Sequence, residues 1–229
     1  MMPSSRNPLT MSEIDFEKAR FNMIEQQIRP WEVLDQRILD ILASTPREDF
    51  VPPRYRNLAF ADVCIPLGQN QVMMRPIVEG RLLQALAVEP SERILEVGTG
   101  SGYLTACLAK LGKRVLTVDI FPEFVKAAQP KLKAQGISNV LLRTGDAAQG
   151  WGNQRYDVIV ITGSLPVLPD SWQRQQEVGG RLFVIVGEPP VMEALLITRL
   201  SEREWNTESL FDTELPPLLN ALKPRVFEF

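Results

Sequence analysis

The chain has 229 residues, 45% of them hydrophobic, enough for one substantial core and a small appended element. Its 25 basic and 28 acidic residues are interspersed, for a net charge of -3, so there is no basic face for a phosphate backbone and no nucleic-acid partner is expected. Histidine is absent, which removes every mechanism using an imidazole as base, triad member or zinc ligand and leaves carboxylates, hydroxyls, amides or a reactive cofactor.

Residues 1–12 are polar and Pro/Ser-rich without periodicity, and are expected to be disordered. Ser12 suits a helix cap, and Ile14, Phe16, Ala19, Met23, Ile24 and Ile28 then give an apolar face up to Pro30. A second helix is expected from Asp35 to about Thr45, stopped by Pro46. From Pro46 to Pro76 the pattern turns irregular and reads as a long ordered loop, a feature that is usually functional. A helix returns after Pro76, with Ile77, Val78, Leu82, Leu83 and Leu86 on its buried side.

Strands are read at 93–97, 114–119, 139–143, 156–162 and 181–186, with helices at about 102–112, 122–135 and 170–177. Pro130 predicts a kink or early stop, and Gly179 and Gly180 a turn into the strand that follows. Alternation of this kind predicts an α/β fold, a mostly parallel sheet with helices on both faces and a ligand at the carboxyl ends of its strands. Segments 193–199 and 207–212 and the ending RVFEF read as antiparallel strands completing one edge.

Cys64 and Cys107 lie far apart with no metal-type partner, so two ordinary buried thiols of a reducing compartment are expected, and no metal site. The first fifteen residues lack the apolar core of a secretory signal, and no run approaches the roughly 18 apolar residues of a membrane span. A cytoplasmic protein without a membrane partner is therefore expected.

The most informative stretch is Arg93 to Leu108, RILEVGTGSGYLTACL, which reads as strand, glycine turn, helix. Glycines at 98, 100 and 102 allow a tight turn and leave bare amides at a helix N-terminus, a site for a nucleotide-like cofactor. A dinucleotide fingerprint needs glycine or alanine at position 103, which is Tyr, so a dehydrogenase is disfavoured.

An acidic residue two places before a G-x-G-x-G turn resembles instead the first motif of S-adenosylmethionine-dependent methyltransferases. The resemblance implies that Glu96 lies near the amino-acid part of the cofactor, that Gly98, Thr99, Gly100 and Gly102 pass close to it, and that Asp119, followed by Ile120, binds the ribose hydroxyls. Asp146, followed by Ala147, would meet the adenine edge. The stretches MIEQQIRPWEVLDQRILDILASTPREDFVP, AFADVCIPLG, GTGSGY, GDAAQGW and YDVIVITGS narrow the resemblance to the protein-L-isoaspartate (D-aspartate) O-methyltransferase family. It implies a Rossmann-like methyltransferase sheet with an N-terminal helical extension: one domain over 13–229, divided into extension and substrate-side loop (13–82), cofactor core (83–190) and C-terminal strands (191–229). It also implies methyl transfer to the α-carboxylate of an isoaspartyl residue in a damaged protein. That acceptor is already ionised at neutral pH, so a chain without histidine can use it with no general base.

The chain departs from the family in the substrate loop, where PIGxGQTIS is replaced by Pro66-Leu67-Gly68-Gln69-Asn70-Gln71-Val72-Met73-Met74. Val72 and Met74 stand where the family has Thr and Ser, and neither donates a hydrogen bond. Met74, Arg75 and Thr162 are the candidate substrate-side residues. Arg75 suits an anion, whereas Met73 and Met74 suit a more apolar acceptor. The Thr162 and Ser164 hydroxyls face either the reacting groups or their own strand end, Trp151 packs beside the adenine, and Trp31 and Phe60 belong to the core. The alternatives are a methyltransferase for a different, small-molecule acceptor and a cofactor-binding protein without catalysis.

Overall fold

The computed structural model describes residues 11–224, with side chains from Phe16 onward. The first helix already includes Met11 and Ser12, so it starts ahead of the expected cap and these two residues are helical rather than disordered; residues 1–10 and the ending RVFEF lie outside the described residues.

Helix α1 (Met11–Met23) runs on through a π-turn (Ile24–Ile28) and a 3-10 turn (Arg29–Trp31), and α2 spans Gln36–Ser44. Asp35 caps α2, its side chain accepting from the Arg37 N–H at 2.8 Å. Two 3-10 turns (Arg47–Asp49 and Pro53–Leu58) lead to a hairpin of β1 (Ile65–Gly68) and β2 (Gln71–Met73), then α3 (Pro76–Leu86). There follow β3 (Arg93–Val97), α4 (Tyr103–Leu111), β4 (Arg114–Asp119), α5 (Pro122–Ala134), β5 (Val140–Thr144) and β6 (Tyr156–Leu165). The short α6 (Asp170–Arg174), β7 (Gln176–Glu188), β8 (Val191–Ser201) and β9 (Glu204–Asp212) complete the elements.

The seven-stranded sheet has the order β5-β4-β3-β6-β7-β8-β9. Strands β3 to β7 are parallel, while β8 and β9 add to the edge as an antiparallel meander. Successive steps from β3 to β5 run one way along the sheet, so right-handed crossovers put α4 and α5 on the same face; the opposite step from β6 to β7 puts α6 on the other. Neighbouring strand residues serve different cores. Ile94, Val158 and Phe183 pack with α2, α3 and α4, whereas Leu95, Ile159 and Leu182 pack with Trp172 of α6. The order in which strands are added reverses between β3 and β6, which opens a crevice beyond their carboxyl ends.

The stretch expected as a loop holds the β1-β2 hairpin. Gln69 and Asn70 both take left-handed φ (53° and 57°), the pair of conformations that closes a two-residue turn. Neither central residue is glycine, so the usual hairpin signal is missing. Helix α5 passes Pro130 without ending; Lys126, whose carbonyl the proline leaves without its helical donor, and Pro130 are both on the exposed face. The helix expected to reach 177 stops at Arg174, and Gly179 and Gly180 form a bulge inside β7, which is paired with β6 from Gln176. Trp31, expected in the core, is 47% exposed, whereas Phe60 is buried. Cys107 is buried as expected, but Cys64 is exposed.

Residues 213–224 do not continue the sheet edge. Thr213 N–H donates to Met192 O, Ser164 N–H to Pro216 O, and Leu218 N–H to Ser164 O. The chain thus runs back along the carboxyl edge of the sheet as far as β6. The buried Ser164 hydroxyl donates to Leu215 O at 2.9 Å, which fixes this return path and takes that hydroxyl out of any reacting role.

Candidate active site

The crevice at the reversal point is a half-open cleft. One wall is the β3-α4 turn, with Gly98, Thr99, Gly100 and Ser101. The ends of β4 and β5 supply Asp119, Ile120, Asp146 and Ala147; Thr162 comes from β6, and Leu218 and Leu219 from the C-terminal segment. The hairpin and the start of α3 close the far side with Leu67, Gln71, Val72, Met73, Met74 and Glu79. Among the described residues no lysine or arginine lines the cleft, and its charged groups are Glu79, Asp119 and Asp146.

The turn's three glycines have different reasons to be glycine. All have positive φ (99°, 49° and 84°), but a Cβ on Gly98 would collide with the Thr162 hydroxyl and one on Gly102 would lie 2.9 Å from Ala128 Cβ of α5. Only Gly98 and Gly100 reach the cleft; Gly102 serves helix packing. Thr162 Oγ1 donates to Val97 O at 2.9 Å and Gly98 O at 2.8 Å, so this hydroxyl ties β6 to the turn although the residue lines the cleft. Of its two expected roles, the strand-end cap is the one the geometry displays.

Asp119 sits at the end of β4, with Oδ2 accepting from Gly100 N–H and Oδ1 from Phe121 N–H, each at 2.9 Å. Burial raises its pKa against these hydrogen bonds. Each oxygen keeps lone-pair capacity for a further donor from the cleft. Asp146 accepts from Ala148 N–H at 2.9 Å and from Asn220 Nδ2 at 2.8 Å, which draws the C-terminal segment over this end of the cleft. Trp151, read as packing, stands behind the wall against Gly145.

Glu96 and Arg75 lie off the wall. Glu96 is fully buried, with Oε2 accepting from Thr105 Oγ1 at 2.5 Å and Oε1 unpartnered. Burial raises its pKa to about 8, so it is a neutral acid under the turn at pH 7. Arg75 points away from the cleft, lying 3.6 Å from Asp62 and 3.4 Å from Thr213 Oγ1. Met74 is buried on the cleft wall, whereas the Arg75 guanidinium is drawn to Asp62 and Thr213. Arg75 is thus not placed to hold an anion in the cleft.

Sequence reasoning also missed Leu218, Leu219 and Glu79. Glu79 is 2% exposed, forms a buried ion pair with Arg47 and has a pKa raised to about 7 by burial, against the pull of Arg47. Arg47 also donates to Met74 O at 2.7 Å and Ala59 O at 2.8 Å and lies over the Tyr103 ring, so it ties the hairpin to α3 and α4. Among the described residues no cluster of three His, Cys, Asp or Glu is arranged to hold a metal, and no helix is long and apolar enough to cross a membrane.

A protein-L-isoaspartate O-methyltransferase from Rhodopseudomonas palustris is 35% identical over 218 residues, 94% of this chain and 89% of its own length. Another from Gloeobacter violaceus is 40% identical over 166 residues, 72% of this chain and 81% of its own. The fold is similar to that of a Plasmodium falciparum protein described as a protein-L-isoaspartate O-methyltransferase in complex with S-adenosyl-L-homocysteine, with a TM-score of 0.73 and 18% identity over 89% of this chain and 97% of that one. The family model for protein-L-isoaspartate(D-aspartate) O-methyltransferase matches residues 18–218, from the first helix through the hairpin and glycine turn to the segment that returns over the cleft. Its reach over every wall of the cleft establishes that this chain belongs to the protein-L-isoaspartate(D-aspartate) O-methyltransferase family.

Proposed function

We propose that the protein transfers a methyl group from S-adenosylmethionine to the free carboxylate of isoaspartyl residues in damaged proteins. The observation that carries this reading is the cleft: a glycine turn, a carboxylate at the end of the adjoining strand and no cation on the wall, within a family of that activity. The donor set fits a positively charged sulfonium nucleoside. Asp119 has acceptor capacity for vicinal ribose hydroxyls, Ile120, Ala147 and Leu218 make an apolar slot for the base, and Asp146 lies at the slot's polar edge.

When bound, the sulfonium supplies an electrophilic methyl group, so the chain's task is to position and to exclude water. The bond between Gly100 and Asp119 holds the turn against β4, and Thr162 holds it against β6. The hairpin wall, with Met73 and Met74 each 4% exposed, keeps water from the acceptor side. An isoaspartyl carboxylate arrives ionised and needs no base from the protein.

One observation favours a second reading, a less polar acceptor. On the acceptor side Val72, Met73 and Met74 offer no side-chain donor, so the Gln71 amide is what the hairpin supplies, and Arg75 is turned away. A protein of one domain acting in the cytoplasm, without nucleic acid or membrane, accords with either reading; action on protein chains belongs to the first.

The test is incubation with methyl-labelled S-adenosylmethionine and an isoaspartyl peptide beside its aspartyl control. Base-labile label on the isoaspartyl peptide alone supports the first reading. Label in small molecules instead supports the second, and binding without any transfer would make the protein a cofactor-binding partner.

A further inference from the structure

We propose that Glu79 receives the α-ammonium of the cofactor's amino-acid tail, a part given to Glu96 by sequence position alone. The inference rests on the cofactor reading above.

With Asp119 and Asp146 at the ends of β4 and β5 holding the nucleoside, the tail extends toward the hairpin and the head of α4. Two buried acids stand near that end. Glu96 is fully inaccessible beneath the turn and bound to Thr105, whereas Glu79 is on the wall beside Met73 and Met74. Arg47 takes Oε2 of Glu79, and among the described residues no donor serves Oε1. A buried carboxylate with an unused oxygen facing a cleft calls for a cationic donor.

The tail is a zwitterion, and the two sides of this end differ in charge accordingly. Thr99, Gly100 and Ser101, on the wall just ahead of α4, present backbone and the positive end of that helix, which suits the tail's carboxylate. Glu79 lies across from them on α3 and suits the ammonium. Its partial neutralisation by Arg47 explains how the acid stands buried before the ligand arrives. Burial nevertheless keeps its pKa at about 7, and an incoming ammonium stabilises the ionised form. The cleft then selects a tail with an amine over one that carries only a carboxylate.

The test is calorimetry with S-adenosylhomocysteine, its deaminated analogue and 5′-methylthioadenosine, which has no amino-acid tail, on wild type and Glu79→Gln. Wild type is expected to bind the deaminated analogue about tenfold or more weaker than S-adenosylhomocysteine, as for loss of a charged hydrogen bond. Glu79→Gln should lose a similar factor for S-adenosylhomocysteine, bind 5′-methylthioadenosine as wild type does and no longer distinguish the deaminated analogue. Equal loss for all three ligands would show a merely structural role and overturn the proposal. Should Glu79→Gln fail to fold because Arg47 is left unpaired, the wild-type comparison decides: equal affinity for the amine and its deaminated analogue overturns it. Wild type that binds none of the three would overturn the cofactor reading, and this proposal with it.

Discussion

The backbone N–H of Gly100 and the Oδ2 of Asp119 are joined at 2.9 Å, so the glycine turn and the end of β4 form a single rigid corner of the cleft. Asp119→Asn places an amide NH2 against one of two backbone donors and removes a charged acceptor. Affinity for S-adenosylhomocysteine, measured by calorimetry, should fall about 10- to 100-fold. Unchanged affinity would remove Asp119 from the cofactor site.

The bifurcated bond from Thr162 to the carbonyls of Val97 and Gly98 makes Thr162→Val a test of support rather than of chemistry. The variant should lose about 1–2 kcal/mol in urea unfolding, while Thr162→Ser keeps most of the stability. If the two variants unfold alike, the hydroxyl is not what fastens β6 to the turn.

Glu96 gives the protein a pH dependence of definite sign. Its carboxyl has an ordinary value of 4.5 in the unfolded chain and holds its proton to about 8 when buried. The folded state binds more protons in between, so the stability that this group contributes is full below about 4.5 and is lost as pH rises through about 8. Glu96→Gln cannot ionise, and its stability relative to wild type should increase from pH 5 to pH 9 in paired urea curves. A constant difference would mean that Glu96 is already charged at neutral pH.

The substrate loop can be given back the hydroxyls of the family pattern. Val72→Thr with Met74→Ser should raise kcat/KM for an isoaspartyl peptide, since both side chains line the cleft and donors there meet the acceptor carboxylate. Because Met74 is only 4% exposed, the same change should cost about 2–4 kcal/mol of stability through lost burial. Activity no higher than wild type would show that these positions do not set the acceptor.

Much of the cleft was readable because strands and a glycine turn leave local marks. Asp119, Asp146 and Thr162 end or follow apolar runs of strand length, and such ends gather at one edge of a parallel sheet. Arg75 was misjudged because Thr213, 138 residues later, helps hold its guanidinium away from the cleft. Glu79 was invisible for a similar long-range reason. Its burial depends on Arg47, 32 residues earlier, and nothing in the α3 pattern announces that partner. Leu218 and Asn220 join the site only because Ser164 bonds the chain on either side of Pro217, a tertiary contact with no periodic signature.

The antiparallel meander at one end of the sheet has a consequence for the far end of the cleft. β9 lies at the outer margin, yet the polypeptide leaving it passes Met192, is pinned at Ser164 and reaches Asp146 through Asn220. Fraying of the outermost ribbon therefore slackens the strip that roofs the nucleoside, and a nucleoside held beneath that strip resists the fraying in return. Amide exchange along 204–212, remote from any ligand atom, thus becomes a reporter of occupancy.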